Sequence, residues 1–128
     1  MFKSLALIGL TSTVQAGFPG CVSVPYNASF MDRVYQSQCI WQSVPKDSNK
    51  EITLAVAQKM IATYKSSTSE AEQPMTAAEI LKLCQKSSTT GTSWNFLQWV
   101  ACYENIKGSE NPYTLSDAEK AALAKVES

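Results

Sequence analysis

Four cysteines in a chain of 128 residues set the first limit on what it can fold into. They fall into two pairs, Cys21 with Cys39 and Cys84 with Cys102, each 18 residues apart. A zinc site made of four cysteines usually draws on close CxxC-type pairs, and there are none here, so disulfides are the better reading. Ahead of them stands a leader of the export type. Lys3 gives the positive start, Leu5 to Leu10 a short apolar run, and Val14-Gln15-Ala16 a small-residue cleavage pattern. The run is too short to span a bilayer as a helix. We expect cleavage after Ala16, leaving a secreted chain of 112 residues that forms a single helical domain over 17–128 with two disulfides. A chain of that size buries only about two-thirds of its unfolded surface, so covalent help is expected.

Four cysteines allow three pairings, and their positions alone do not decide between them. Equal spacings suit a ladder on two antiparallel helices, Cys21 to Cys102 and Cys39 to Cys84. Pro25 breaks the first span and Gly91 the second, so neither is one straight helix. Local pairing within each span fits the chain better, and loop-entropy estimates give each such bridge about 3 kcal/mol.

The tract Trp94 to Ile106 (WNFLQWVACYENI) is the expected core helix. At 100° per residue its apolar side chains cover nearly the whole circumference, as in a helix buried on most sides. Ser93 is its expected cap, Gly108 its expected left-handed stop, and Cys102 its covalent tie.

Around that helix the chain reads in order. Residues 17–25 form an extended lead-in. Asn27-Ala28-Ser29 is both a glycosylation sequon and a helix N-terminus, with capping the better reading. Phe30, Met31, Val34, Tyr35 and Trp41 then share one side of a helix that Pro45 stops. Ser48 with Glu51 forms a capping box for a second helix, whose broad apolar arc holds Ile52, Leu54, Val56, Ala57, Met60, Ile61 and Tyr64. Residues 66–73 read as a solvated loop closed by Pro74. Thr76 with Glu79 caps a third helix carrying Ile80, Leu81, Leu83 and Cys84. Ser116 with Glu119 caps a last helix with a thin apolar stripe, expected at the periphery. No alternating segment is long enough to be a convincing strand, so the predicted class is all-α, a bundle of about five helices.

The chain has no histidine, which removes the commonest general base and the usual metal ligand. Asp32, Glu51, Glu79 and Glu119 stand where helix starts favour carboxylates, so capping explains them without catalysis. No enzyme activity, cofactor or metal is expected. Loss of Lys3 with the leader makes the net charge −1 with no run of like charge, and nothing electrostatic points to nucleic acid. Three Trp, four Phe, five Tyr and four Met remain to be explained. They pack a solid core, or they line a cavity that adapts to apolar guests.

From Gln38 to about Leu115 the residues resemble the insect odorant-binding protein family, small secreted helical carriers of apolar semiochemicals. The resemblance begins at Gln38-Cys39-Ile40-Trp41 and the polar turn Lys46 to Lys50. It continues through the gaps of 45 from Cys39 to Cys84 and 18 from Cys84 to Cys102, and ends in Trp99 to Asn105 and Asn111 to Leu115. The family's second and fifth cysteines are replaced by Tyr35 and Ser93, which is similar to its four-cysteine subgroup. Cys21 lies closer to Cys39 than the family's longer leading segment would place it. The resemblance implies pairing of Cys21 with Cys39 and Cys84 with Cys102. It also implies a secreted carrier for a small apolar ligand such as an odorant, pheromone or lipid-like molecule. The lining candidates are Val34, Trp41, Val56, Met60, Ile61, Tyr64, Leu83, Trp94, Leu97, Trp99 and Tyr103, with Tyr64 or Tyr103 supplying a polar contact to a ligand oxygen. The rival reading is a secreted interaction protein of venom, salivary or effector type with a solid helical core and no ligand.

Overall fold

A computed structural model describes residues 20–21, 28–106 and 111–127. The expected leader, the sequon asparagine Asn27 and the expected stop at Gly108 lie outside the described residues. The chain divides into two compact units, 1–43 and 44–128. Among the described residues, five helices, one ribbon of two-residue strands and two disulfides place it in the all-α class.

The first unit holds α1, Phe30–Gln42. Ser29 caps it, its hydroxyl accepting the Asp32 amide at 3.2 Å, and the Asp32 carboxylate suits the positive end of the helix. The chain leaves the helix at Ser43, two residues ahead of Pro45. A disulfide joins Cys39 to Cys21, with Cα atoms 5.6 Å apart. Val34, Ile40 and Trp41 are buried, together with the polar Gln36 and Ser37. Tyr35, expected on the apolar side, is instead 54% exposed. At 100° per residue it falls outside the buried arc of Val34, Ser37, Ile40 and Trp41, and a phenol tolerates water.

The second unit runs β1 (Ile52–Thr53), α2 (Leu54–Ser66), α3 (Ala77–Ser87), β2 (Ser93–Trp94), α4 (Phe96–Tyr103) and α5 (Asp117–Glu127). β1 and β2 pair antiparallel, Ile52 opposite Trp94 and Thr53 opposite Ser93. The ribbon corrects two expected helix starts. The Asp47 carboxylate accepts the amides of Asn49 and Glu51 at 2.8 and 3.1 Å, and Lys50 takes a left-handed φ of 63°, so Ser48 and Glu51 build a turn and not a capping box. Thr53 caps α2, and Ile52 pairs in the ribbon ahead of it. Likewise Trp94 belongs to β2, and α4 is capped by Asn95 and not Ser93, in a reciprocal box with Gln98 at 2.9 Å each way. Ile106 is buried in the turn beyond α4, not within the helix.

Thr76 and Glu79 form the expected capping box on α3. Ser116 and Glu119 exchange the same pair of bonds ahead of α5, at 2.8 and 3.1 Å. The turn from α3 into β2 uses a left-handed Gly91, φ 79°, whose amide donates to the Ser88 hydroxyl. α3 packs against both α2 and α4, and the Cys84–Cys102 disulfide fixes the latter pair with Cα atoms 4.9 Å apart. α5 packs on α4 and buries Leu123 completely, so its thin stripe still reaches the core.

Candidate ligand-binding site

The site begins with the way two helices are tied. α2 follows β1 and α4 follows β2, so the antiparallel ribbon links the starts of the two helices, each leaving it at the opposite end. Ten residues into each run the chains are joined again, Tyr64 from α2 and Ile106 from the turn after α4. Gln73 makes that second tie. Its side-chain amide Nε2 donates to the Ile106 carbonyl at 2.7 Å and to the Tyr64 hydroxyl at 3.2 Å, while Oε1 accepts the Met75 amide at 3.0 Å. At 1.5 Å of rise per residue the 8 residues of α4 span about 12 Å, and the chain reaches Ile106 through a turn. Between the links both α2 and α4 pack on α3. The result is a pair of helices held at both ends over a shared helical floor.

The expected lining residues distribute over this frame. Met60 and Ile61 on α2, Leu83 on α3 and Trp99 on α4 are buried. Val56, Tyr64, Leu97 and Tyr103 are half-buried on the same helices. Trp94 lies in the ribbon with no exposed surface, its ring edge-on to Trp99 with centroids 6.0 Å apart and planes at 86°. Its only polar atom, Nε1, donates to the Cys84 carbonyl at 2.7 Å. Trp94 is therefore committed to the wall and has no donor left for a ligand. Val34 and Trp41 are buried on α1, in the first unit.

Gln73 was not expected to matter. It closes what reads as a solvated loop, yet it has no exposed surface, and Lys65 Nζ caps its carbonyl at 2.8 Å. Burial of an amide side chain is tolerable only because both its oxygen and its nitrogen find partners. Its polar surroundings in the sequence gave no sign of this. Among the described residues, no group of three or more His, Cys, Asp or Glu is placed to hold a metal, and no helix is long and apolar enough to cross a membrane.

Comparison with protein-family models, curated proteins and solved structures finds no match. The likeness to odorant-binding proteins therefore rests on the cysteine gaps and short tracts quoted above.

Proposed function

We propose that the protein is a secreted carrier that shelters small apolar molecules in the second unit, among α2, α3 and α4. One observation carries the reading: α2 and α4 each pack on α3, and the two are linked by the ribbon at one end and through Gln73 at the other. The side chains these three helices bury include Met60, Ile61, Leu83 and Trp99, and such methionine, aliphatic and aromatic surface adapts to a guest at low cost. Two disulfides suit an oxidising compartment. Burial of apolar area contributes about 25 cal/mol per Å², and drug-sized ligands retain about 0.3 kcal/mol per heavy atom, so micromolar affinity and broad selectivity are expected.

A specific observation favours the rival, an interaction protein with a solid core. Trp94, Phe96 and Val100 have no exposed surface, and Trp94 meets Trp99 directly, so this side of α4 is closely packed. A fluorescent naphthylamine probe separates the two readings. The folded, oxidised protein takes up the probe saturably if it is a carrier, and Met60→Ala or Trp99→Ala weakens uptake while circular dichroism shows the helices intact. Absence of uptake by the folded wild-type protein rejects the carrier.

A further inference from the structure

Beyond the carrier reading, we infer that the Cys21–Cys39 bridge is a thiol-operated switch: a small monothiol such as glutathione opens it by attack at Cys39 and loosens α1, while the Cys84–Cys102 bridge and the second unit stay intact. A disulfide opens when a thiolate reaches one of its sulfurs in line with the bond, so access to that sulfur sets which bridge reacts. The two bridges differ in this. Cys84 and Cys102 are 1% and 0% exposed. The fully buried Trp94 donates its Nε1 to the Cys84 carbonyl at 2.7 Å, and the Ser87 hydroxyl donates to the same oxygen at 2.8 Å, so the chain around Cys84 is held closed. A thiol reaches this bridge only when α3 and α4 part. In the first bridge Cys21 is 1% exposed, but Cys39 is only half-buried, near the end of α1. The Cys39 sulfur meets the Gly20 carbonyl at 3.6 Å in a contact open to solvent. Gly20 is itself exposed, and a methyl group there would meet no described atom within 4 Å. Entry is therefore at Cys39, with Cys21 as the sulfur that leaves.

The exchange balances in two steps. The glutathione thiolate bonds to Cys39 Sγ, the Cys21–Cys39 bond breaks, and Cys21 departs with the electron pair and takes a proton from water. A second glutathione thiolate attacks the glutathione sulfur of the mixed disulfide, releasing glutathione disulfide and Cys39, which takes its proton from water in turn. Two glutathione molecules are oxidised and one bridge is reduced. The consequence falls on α1. A helix of 13 residues is marginal in water without tertiary support, and the closure of 18 residues is the covalent part of that support in the first unit. Ser37 points the same way. It is buried on α1, yet its hydroxyl finds no hydrogen-bond partner among the described residues, an unsatisfied group that is relieved when the helix loosens into water.

Of the three tryptophans Trp41 alone lies in the first unit, where it is 4% exposed, so it reports on α1. The oxidised full chain is equilibrated with increasing glutathione, quenched with iodoacetamide and mapped by peptide mass. Cys21 and Cys39 are expected to be alkylated at roughly tenfold lower glutathione than Cys84 and Cys102, with glutathione found on Cys39 in the intermediate trapped by acid. Across that first step acrylamide should begin to quench Trp41, and Trp41→Phe should abolish the gain, while the quenching of Trp94 and Trp99 stays as it was. Joint reduction of the two bridges, earlier reduction of Cys84–Cys102, resistance of both in the folded chain, or glutathione trapped on Cys21 overturns the inference. Selective opening that leaves Trp41 shielded overturns it too, because the bridge then switches nothing. The carrier reading is untouched by any of these results and stands or falls with the naphthylamine probe.

Discussion

Glu79 accepts the backbone amide of Thr76 on its carboxylate at 2.8 Å, and that bond, aided by the Thr76 hydroxyl and by Lys82 and Lys65, holds its carboxyl below the ordinary value of 4.5. A depressed carboxyl contributes stability that is complete above the unfolded value and fades as pH falls through the folded one. Glu79→Gln keeps an acceptor but removes the titration. Thermal melts taken from about pH 7 down to about pH 3 should therefore show wild type above the variant at neutral pH and the two converging in acid. A gap that stays constant would mean that the ionised form adds nothing to the cap. This box and the one at Ser116 and Glu119 were legible because each needs only two residues three apart on one chain. The same pattern at Ser48 and Glu51 misled, because Asp47 competes for the amides and Lys50 has turned left-handed. Spacing reveals a capping pair; it does not reveal a better bidder one residue upstream.

At the scale of elements, apolar periodicity located the buried side chains of the second unit well but misplaced the ends of the helices that carry them. Met60, Ile61, Leu83, Trp99 and Val100 are buried as their spacing predicts. Trp94 and Ile52 extend those apolar runs without a break, so nothing local separates ribbon from helix; only their pairing with each other does. Gln73 was hidden for the complementary reason, since its partners Tyr64 and Ile106 are 9 and 33 residues away. Its weight can be measured. Gln73→Leu keeps the volume but leaves the buried Ile106 carbonyl and the part-buried Met75 amide without their partner, and a buried orphan costs about 1–3 kcal/mol. Urea unfolding should show a loss within that range or above it, and hydrogen exchange at the Met75 amide should accelerate. A variant as stable as wild type would show that water replaces the amide, and that the second tie between α2 and α4 is weaker than its geometry suggests.

Across the whole molecule the covalent plan is one bridge inside each unit, Cys21 to Cys39 and Cys84 to Cys102, with no cysteine left free. Pro25 and Gly91 made the local pairing the better reading, and the resemblance implied it, but the equal spacings fit the crosswise ladder just as well. What decides is topology. α3 and α4 pack side by side through the turn that Gly91 permits, which sets Cys84 beside Cys102. The Cys84–Cys102 bridge then acts where the proposed site has its floor, because α3 touches both flanking helices. Replacing both cysteines by serine should lower the stability of the second unit by about 3 kcal/mol, the loop-entropy value for a closure of this length. Trp94 and Trp99, which both lie in that unit, report its unfolding by fluorescence. Peptide mapping of the oxidised wild-type protein should recover Cys84 joined to Cys102. A peptide joining Cys39 to Cys84 would instead demand that α1 and α3 run together, and the helical floor described here would be wrong. If the mapping holds but the serine pair costs nothing, the contacts of α3 with α4 are sufficient alone, and the bridge does not shape the fold.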